Sequence, residues 1–188
     1  MAFNPHHSQY HQTQQHHHDP QISAWFMAVD QDRSGRINAF ELQSALMSSN
    51  GRRFSDATCR LMIGMFDNGA GSIDINGFAQ LYTYVNQWVN TFKRFDANGS
   101  GFIDQFELGQ ALKTMGYNFS PVFADVIVKK FGRIGPGGLA ADEFILTCIL
   151  IYNLTASFRQ KDPHFQGVIT VNYEDFLNMC LSTLALTT

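Results

Sequence analysis

The chain has 188 residues, 45% hydrophobic and 13% aromatic, enough to bury one sizeable core, and its net charge of −3 with scattered Lys and Arg excludes a basic nucleic-acid-binding surface. Three cysteines, Cys59, Cys148 and Cys180, lie far apart without zinc-type pairing, which points to a reducing compartment and to cysteines acting as small hydrophobes. No signal-peptide pattern opens the sequence, and the longest apolar stretch, Phe144 to Tyr152, is far below the ~20 residues that cross a bilayer, so a soluble intracellular protein is expected.

Residues 1–20, MAFNPHHSQYHQTQQHHHDP, hold six of the seven His and show no apolar periodicity, which predicts a disordered His/Gln-rich tail. His16, His17 and His18 could ligate a transition metal, but a flexible polar tail is the plainer reading. The next run, ISAWFMAV, places Ile22, Trp25, Phe26 and Val29 on one helical stripe. It leads into DQDRSGRINAFE at 30–41, which has the pattern of a twelve-residue calcium loop. In such a loop oxygens at places one, three, five, seven, nine and twelve surround the ion, and place six turns sharply, which Gly does without steric cost. The candidate ligands are Asp30, Asp32, Ser34, the backbone carbonyl of Arg36, Asn38 directly or through water, and bidentate Glu41. Ile37, at place eight, suits a short strand that pairs with a neighbouring loop. Phe40, Leu42, Leu46 and Met47 carry the apolar pattern into an exiting helix.

In SNGRRFSDA, Gly51 suits a helix end and Ser55 an N-cap. DNGAGSIDINGF at 67–78 keeps Ile73 and Phe78 but is one residue short and has Gly77 where the bidentate Glu belongs, so it is expected to bind nothing. NGFAQLYTYVNQWVNTFKRF then reads as one long helix that leaves this hand and enters the next. DANGSGFIDQFE at 96–107 repeats the full pattern: Asp96, Asn98, Ser100, the carbonyl of Phe102, Asp104 and Glu107 as ligands, with Ile103 at place eight. TMGYNFSPV repeats the turn, with Gly116 at a helix end, Ser120 as N-cap and Pro121 at the first helical position. GRIGPGGLAADEF at 132–144 keeps Gly137, Leu139 and Glu143 but offers Gly132, Ile134 and Pro136 where carboxylates belong. A second long helix follows, in which FILTCILIYNL is apolar all round and needs cover on every side. KDPHFQGVITVNYEDF at 161–176 keeps Asp162, Gly167 and Ile169 yet has His164, Gln166 and Tyr173 at places three, five and twelve. Loop starts at about 30, 66, 96, 132 and 162 alternate between roughly 36 and roughly 30 residues, the mark of a repeated unit. Two of these five hands carry a complete ligand set.

Hands pair two by two, so the fifth is left with Val168, Ile169 and Val171 on an unpaired edge and with Phe176, Leu177, Met179, Leu181 and Leu184 beside it. A second, similarly built chain could cover them about a two-fold axis. Inside the loops, three carboxylates against Arg33 and Arg36 leave the first at −1, whereas the third holds −3, offset in part by Lys93 and Arg94 just outside; tighter binding at the third is expected.

From about residue 21 to the end, the five hands at these intervals, with AWFMAVD, ATCRLMIGMFD and FRQKDPHFQGVITVNYEDF, resemble the penta-EF-hand family. The resemblance implies an all-α fold of five helix-loop-helix hands over residues 21–188, with short paired loop strands. It implies Ca2+ as cofactor, and a homodimer or a heterodimer with a related five-hand chain through the fifth hand. For some members it implies a non-enzymatic adaptor that tunes such a partner in vesicle traffic from endoplasmic reticulum to Golgi. Such a protein is cytoplasmic, peripheral at those membranes, and meets target proteins through apolar surface exposed by calcium. The alternatives are the small subunit of a calcium-dependent protease and a calcium buffer, which would change its surface little. An enzyme is not expected, because no cysteine has a His and Asn or Asp partner in motif context and nothing resembles a phosphate-cradling loop.

Overall fold

Capping residues set where the helices begin. The computed structural model describes residues 20–47, 51–132 and 137–184. Helix α1 (Pro20–Val29) starts one residue before the expected boundary, and residues 1–19, including His16 to His18, lie outside the described residues. Phe26 is buried and Ile22, Trp25 and Val29 pack against the core, as the stripe requires. After the first loop come β1 (Ile37–Asn38) and α2 (Ala39–Ala45), with Asn38 as N-cap accepting from Phe40 N and Glu41 N. Ser55 caps α3 (Asp56–Gly64) by accepting from Thr58 N, and Ser120 caps α6 (Pro121–Phe131) by accepting from Phe123 N, with Pro121 opening that helix. Between them lie β2 (Ser72–Ile73), the shared helix α4 (Ile75–Phe95) and α5 (Gln105–Thr114). The second shared helix, α7 (Ala141–Lys161), leads through the fifth loop to α8 (Tyr173–Leu184).

Place-eight residues pair the loops. Ile37 faces Ile73 in the antiparallel β1–β2 ladder, and Ile103 and Leu139 exchange two 2.8 Å backbone hydrogen bonds. All four side chains are fully buried, so each pairing closes a small apolar seam between two hands. Ile169 has no strand partner among the described residues.

Two expectations fail locally. Helix α2 stops at Ala45 and Met47 pairs with Arg53 in an antiparallel bridge, so Gly51, at φ +76°, belongs to the turn of that bridge and not to the helix end. Gly116, at φ +94°, does follow the C-cap Met115 of α5. Phe40 and Met47 are exposed, while Leu42 is buried and Leu46 half-buried, because a short helix can aim only one stripe inward.

The core runs along α4 and α7. Trp88 and Phe92 of α4 both meet the Phe144 ring edge-on, at 6.0 and 5.9 Å between centroids. By length and composition α7 could cross a bilayer, but its first half sits in this core. Its cover fades toward the fifth hand, where Leu154 is exposed. Cys59 and Cys148 are buried free thiols; burial pushes Cys59 up to about 12 and raises Cys148 too, so both are inert hydrophobes.

Candidate functional site

The first loop is wound by its own carboxylates. Asp30 Oδ1 accepts from Ser34 N at 3.0 Å and Oδ2 from Gly35 N at 2.9 Å; Asp32 Oδ1 accepts from Ser34 N at 2.9 Å. The Ser34 hydroxyl donates to the Arg36 carbonyl at 3.0 Å. Glu41 closes the loop, with Oε1 accepting from Gln31 N and Oε2 from Asn38 N, both at 3.0 Å. Left-handed backbone at Arg33 (φ +58°) and Gly35 (φ +78°) curls the chain so that places one to seven turn inward. Ligand oxygens of Asp30, Asp32 and Glu41 thereby come within 4.8 Å of one another. Calcium–oxygen bonds of about 2.3–2.6 Å place two ligands of one ion at most about 5 Å apart, so these residues fit a hard oxygen-seeking cation. Hydrogen bonds from Ser34 hold the Asp32 carboxyl below its ordinary value, so it is charged at neutral pH.

Asn38 plays a different part. Its Oδ1 accepts from both Phe40 N and Glu41 N at 3.0 Å, which uses both lone pairs of that oxygen in capping α2. The Arg36 guanidinium turns away, donating to the Ser72 hydroxyl at 2.8 Å and to the Ser72 carbonyl in the paired loop.

The third loop repeats this frame. Asp96 accepts from Ser100 N and Gly101 N at 2.9 Å each, Asn98 Oδ1 from Ser100 N at 2.8 Å, and the Ser100 hydroxyl donates to the Phe102 carbonyl at 2.9 Å. Glu107 accepts from Ala97 N at 3.0 Å and Asp104 N at 3.1 Å. At place nine Asp104 also caps its helix through Oδ1, from Phe106 N and Glu107 N, but as a carboxylate it has a second oxygen left. Asp30 and Glu41 are buried, whereas Asp96, Asp104 and Glu107 are half-buried.

The other loops keep the turn and lack the ligands. In the second, Asp67 accepts from Gly69 N at 2.8 Å and Gly71 N at 2.7 Å. A Cβ at Gly77, the place of the bidentate Glu, would lie 3.0 Å from Ile73 Cβ and 3.1 Å from the Phe66 carbonyl oxygen. In the fourth, a Cβ at Gly132, place one, would lie 2.7 Å from the carbonyl oxygens of Gly138 and Val128, and Glu143 accepts from Ala140 N at 3.0 Å, as Glu41 and Glu107 do from the N–H of their own place nine, but without an acid at place one to share an ion. Ile134 and Pro136 lie outside the described residues. In the fifth, Asp162 is 3% exposed and accepts from Gln166 N and Gly167 N at 2.8 Å each, the same two places that Asp30 and Asp96 hold. Those bonds, Gly167 N first, keep its carboxyl below the ordinary range. Phe165 and Gly167 repeat the left-handed pair at φ +56° and +75°, and the Arg159 guanidinium lies 4.7 Å from the Phe165 ring centroid. Of the residues assigned to the joining surface, Val168 is 75% and Phe176 51% exposed, and Ile169, Val171 and Met179 are half-buried.

Sequence reasoning missed the two-fold use of place nine, although Asn38 and Asp104 each stand three residues before a Glu, the pattern of a capping box. It also missed the hydrogen bond between Asp142 and Ser55, for which no local pattern exists.

An EF hand model matches residues 22–47 and an EF-hand domain model residues 87–116. The chain is 42% identical to Peflin of Danio rerio over 168 residues, which is 88% of this chain and 62% of that one, so it spans about three fifths of the peflin's length. It is 36% identical to Sorcin of Mus musculus over 171 residues, 88% of this chain and 84% of sorcin. A solved homolog of programmed cell death 6 protein from Leishmania major Friedlin superposes with a TM-score of 0.75 at 32% identity, over 87% of this chain and 94% of that one.

Proposed function

The chain belongs to the penta-EF-hand family and takes Ca2+, and from that premise we propose that it is a calcium-responsive regulator working as a dimer through its fifth hand. Its calcium ligands in this reading are Asp30, Asp32, Ser34, the Arg36 carbonyl and Glu41 in the first loop, with Asn38 acting through water because its Oδ1 caps α2. In the third loop they are Asp96, Asn98, Ser100, the Phe102 carbonyl, Asp104 and Glu107. The observation that carries the reading is the contrast between the hands: the first loop brings Asp30, Asp32 and Glu41 together and the third repeats its hydrogen-bonded frame, while the fifth keeps the same winding with apolar residues turned outward.

The dimer is a homodimer in isolation and exchanges into a heterodimer with a related five-hand chain. In this reading it lies in the cytoplasm, peripheral at membranes of endoplasmic reticulum and Golgi-bound vesicles, where it tunes that partner, as the resemblance to penta-EF-hand adaptors implies. Sedimentation of the full chain at micromolar concentration tests the assembly. A dimer that Phe176→Glu converts to a folded monomer is expected, and a stable monomer with and without calcium would overturn it. Pull-down with calcium against chelator tests the regulatory role, and recovery of a protease chain would point to the small-subunit function instead.

A further inference from the structure

Each of the two hands with a complete ligand set pairs with a hand that lacks one, and a buried carboxylate joins the two pairs. Asp142 is place eleven of the fourth loop and the second residue of α7; it is 5% exposed, and its Oδ2 accepts a 3.0 Å hydrogen bond from Ser55 N, the N-cap of α3, 87 positions away. In the first and third loops place eleven holds an exposed Phe, Phe40 and Phe106. From the third loop, the Ile103–Leu139 pairing leads directly to the start of α7 and Asp142. From Ser55, α3 leads to the second loop, which is bound to the first through Ile37–Ile73 and through Arg36 on Ser72. Rings of Trp88, Phe92 and Phe144 also join α4 to α7, but ring packing tolerates sliding, whereas a buried carboxylate that loses its donor is strongly disfavoured. The bond therefore fixes the start of α7 against the start of α3.

We infer that Asp142 is a positioning residue that couples the first and third calcium loops, so that an ion in one raises the affinity of the other. The inference rests on the reading of those loops as the calcium sites. Glu41 and Glu107, at the starts of α2 and α5, would each hold an ion and so fix the helix that leaves its loop. Both pairs then hold the arrangement in which the start of α7 faces the start of α3, and each ion finds that arrangement already favoured by the other.

Calorimetric titration of the full-length protein tests this. Glu41→Gln and Glu107→Gln must each remove one of two binding events; if they do not, the reading of the sites falls and the coupling with it. Where they do, the product of the two binding constants in the intact protein should exceed the product of the single-site constants about fivefold, the low end of allosteric couplings. Asp142→Ala should bring that ratio to one, and Asp142→Asn, which keeps an acceptor, should restore it. Because Asp142→Ala disturbs the core, Ser55→Pro is the second variant: it removes the donor at a φ of −66° that proline adopts. Ser55→Ala, which loses the cap but keeps the N–H, should leave the ratio unchanged. A ratio of one in the intact protein, or one unmoved by Asp142→Ala and Ser55→Pro, would overturn the inference.

Discussion

At the scale of residues, the difference between a loop that gathers ligands and one that does not comes down to single atoms. Asp104 caps its helix with one oxygen and has another for the ion or its water, whereas Asn38 has spent its only oxygen on capping. Together with the charges of −3 and −1, this predicts that Glu107→Ala abolishes the tighter of two calorimetric events and Glu41→Ala the weaker; loss of the weaker one in Glu107→Ala would reverse the order. A missing ligand is not always replaceable. At Gly77 a side chain meets Ile73 and the Phe66 carbonyl, so Gly77→Glu should add no calcium ion and should cost about 1–3 kcal/mol in chemical unfolding, as overpacked sites do. One added ion in titration would contradict that account.

Elements show which parts of the fold can be read from local sequence. The paired strands follow from a branched residue at place eight, and the caps Ser55 and Ser120 from their place before an apolar run, so both were legible. Gly51 was misread because its role depends on Met47 and Arg53 meeting across a turn, and Asp142 because its partner is 87 positions distant. Of the candidate sites, residue types and spacing are what the sequence offers; the shared use of place nine and the turn of Arg36 toward Ser72 depend on side-chain direction. The join between α4 and α7 rests on Phe144, and Phe144→Ala should cost about 3–5 kcal/mol in denaturant unfolding. Burial of Cys59 gives a pH signature. Its folded value is raised from the ordinary 9.0 to about 12, so stability is unaffected below pH 9 and falls as the pH climbs from 9 toward 12. Melting temperatures across that range should drop less steeply in Cys59→Ala than in the parent protein.

At the scale of the whole molecule, the hands divide the work that a single type of loop could do. The first gathers oxygens and the third repeats its frame, two hold their neighbours through buried seams, and the fifth keeps the turn while presenting an apolar face. Asp162 explains how the fifth loop holds its shape without an ion: its carboxylate accepts the N–H groups of places five and six, as Asp30 and Asp96 do. The central claim is that calcium enters the first and third loops alone. Anomalous scattering from a crystal soaked in a heavy calcium substitute tests it most directly. Density is expected beside Asp30 and Glu41 and beside Asp96 and Glu107, and strong density in the loop that starts at Gly132, or beside Asp162, would contradict the account.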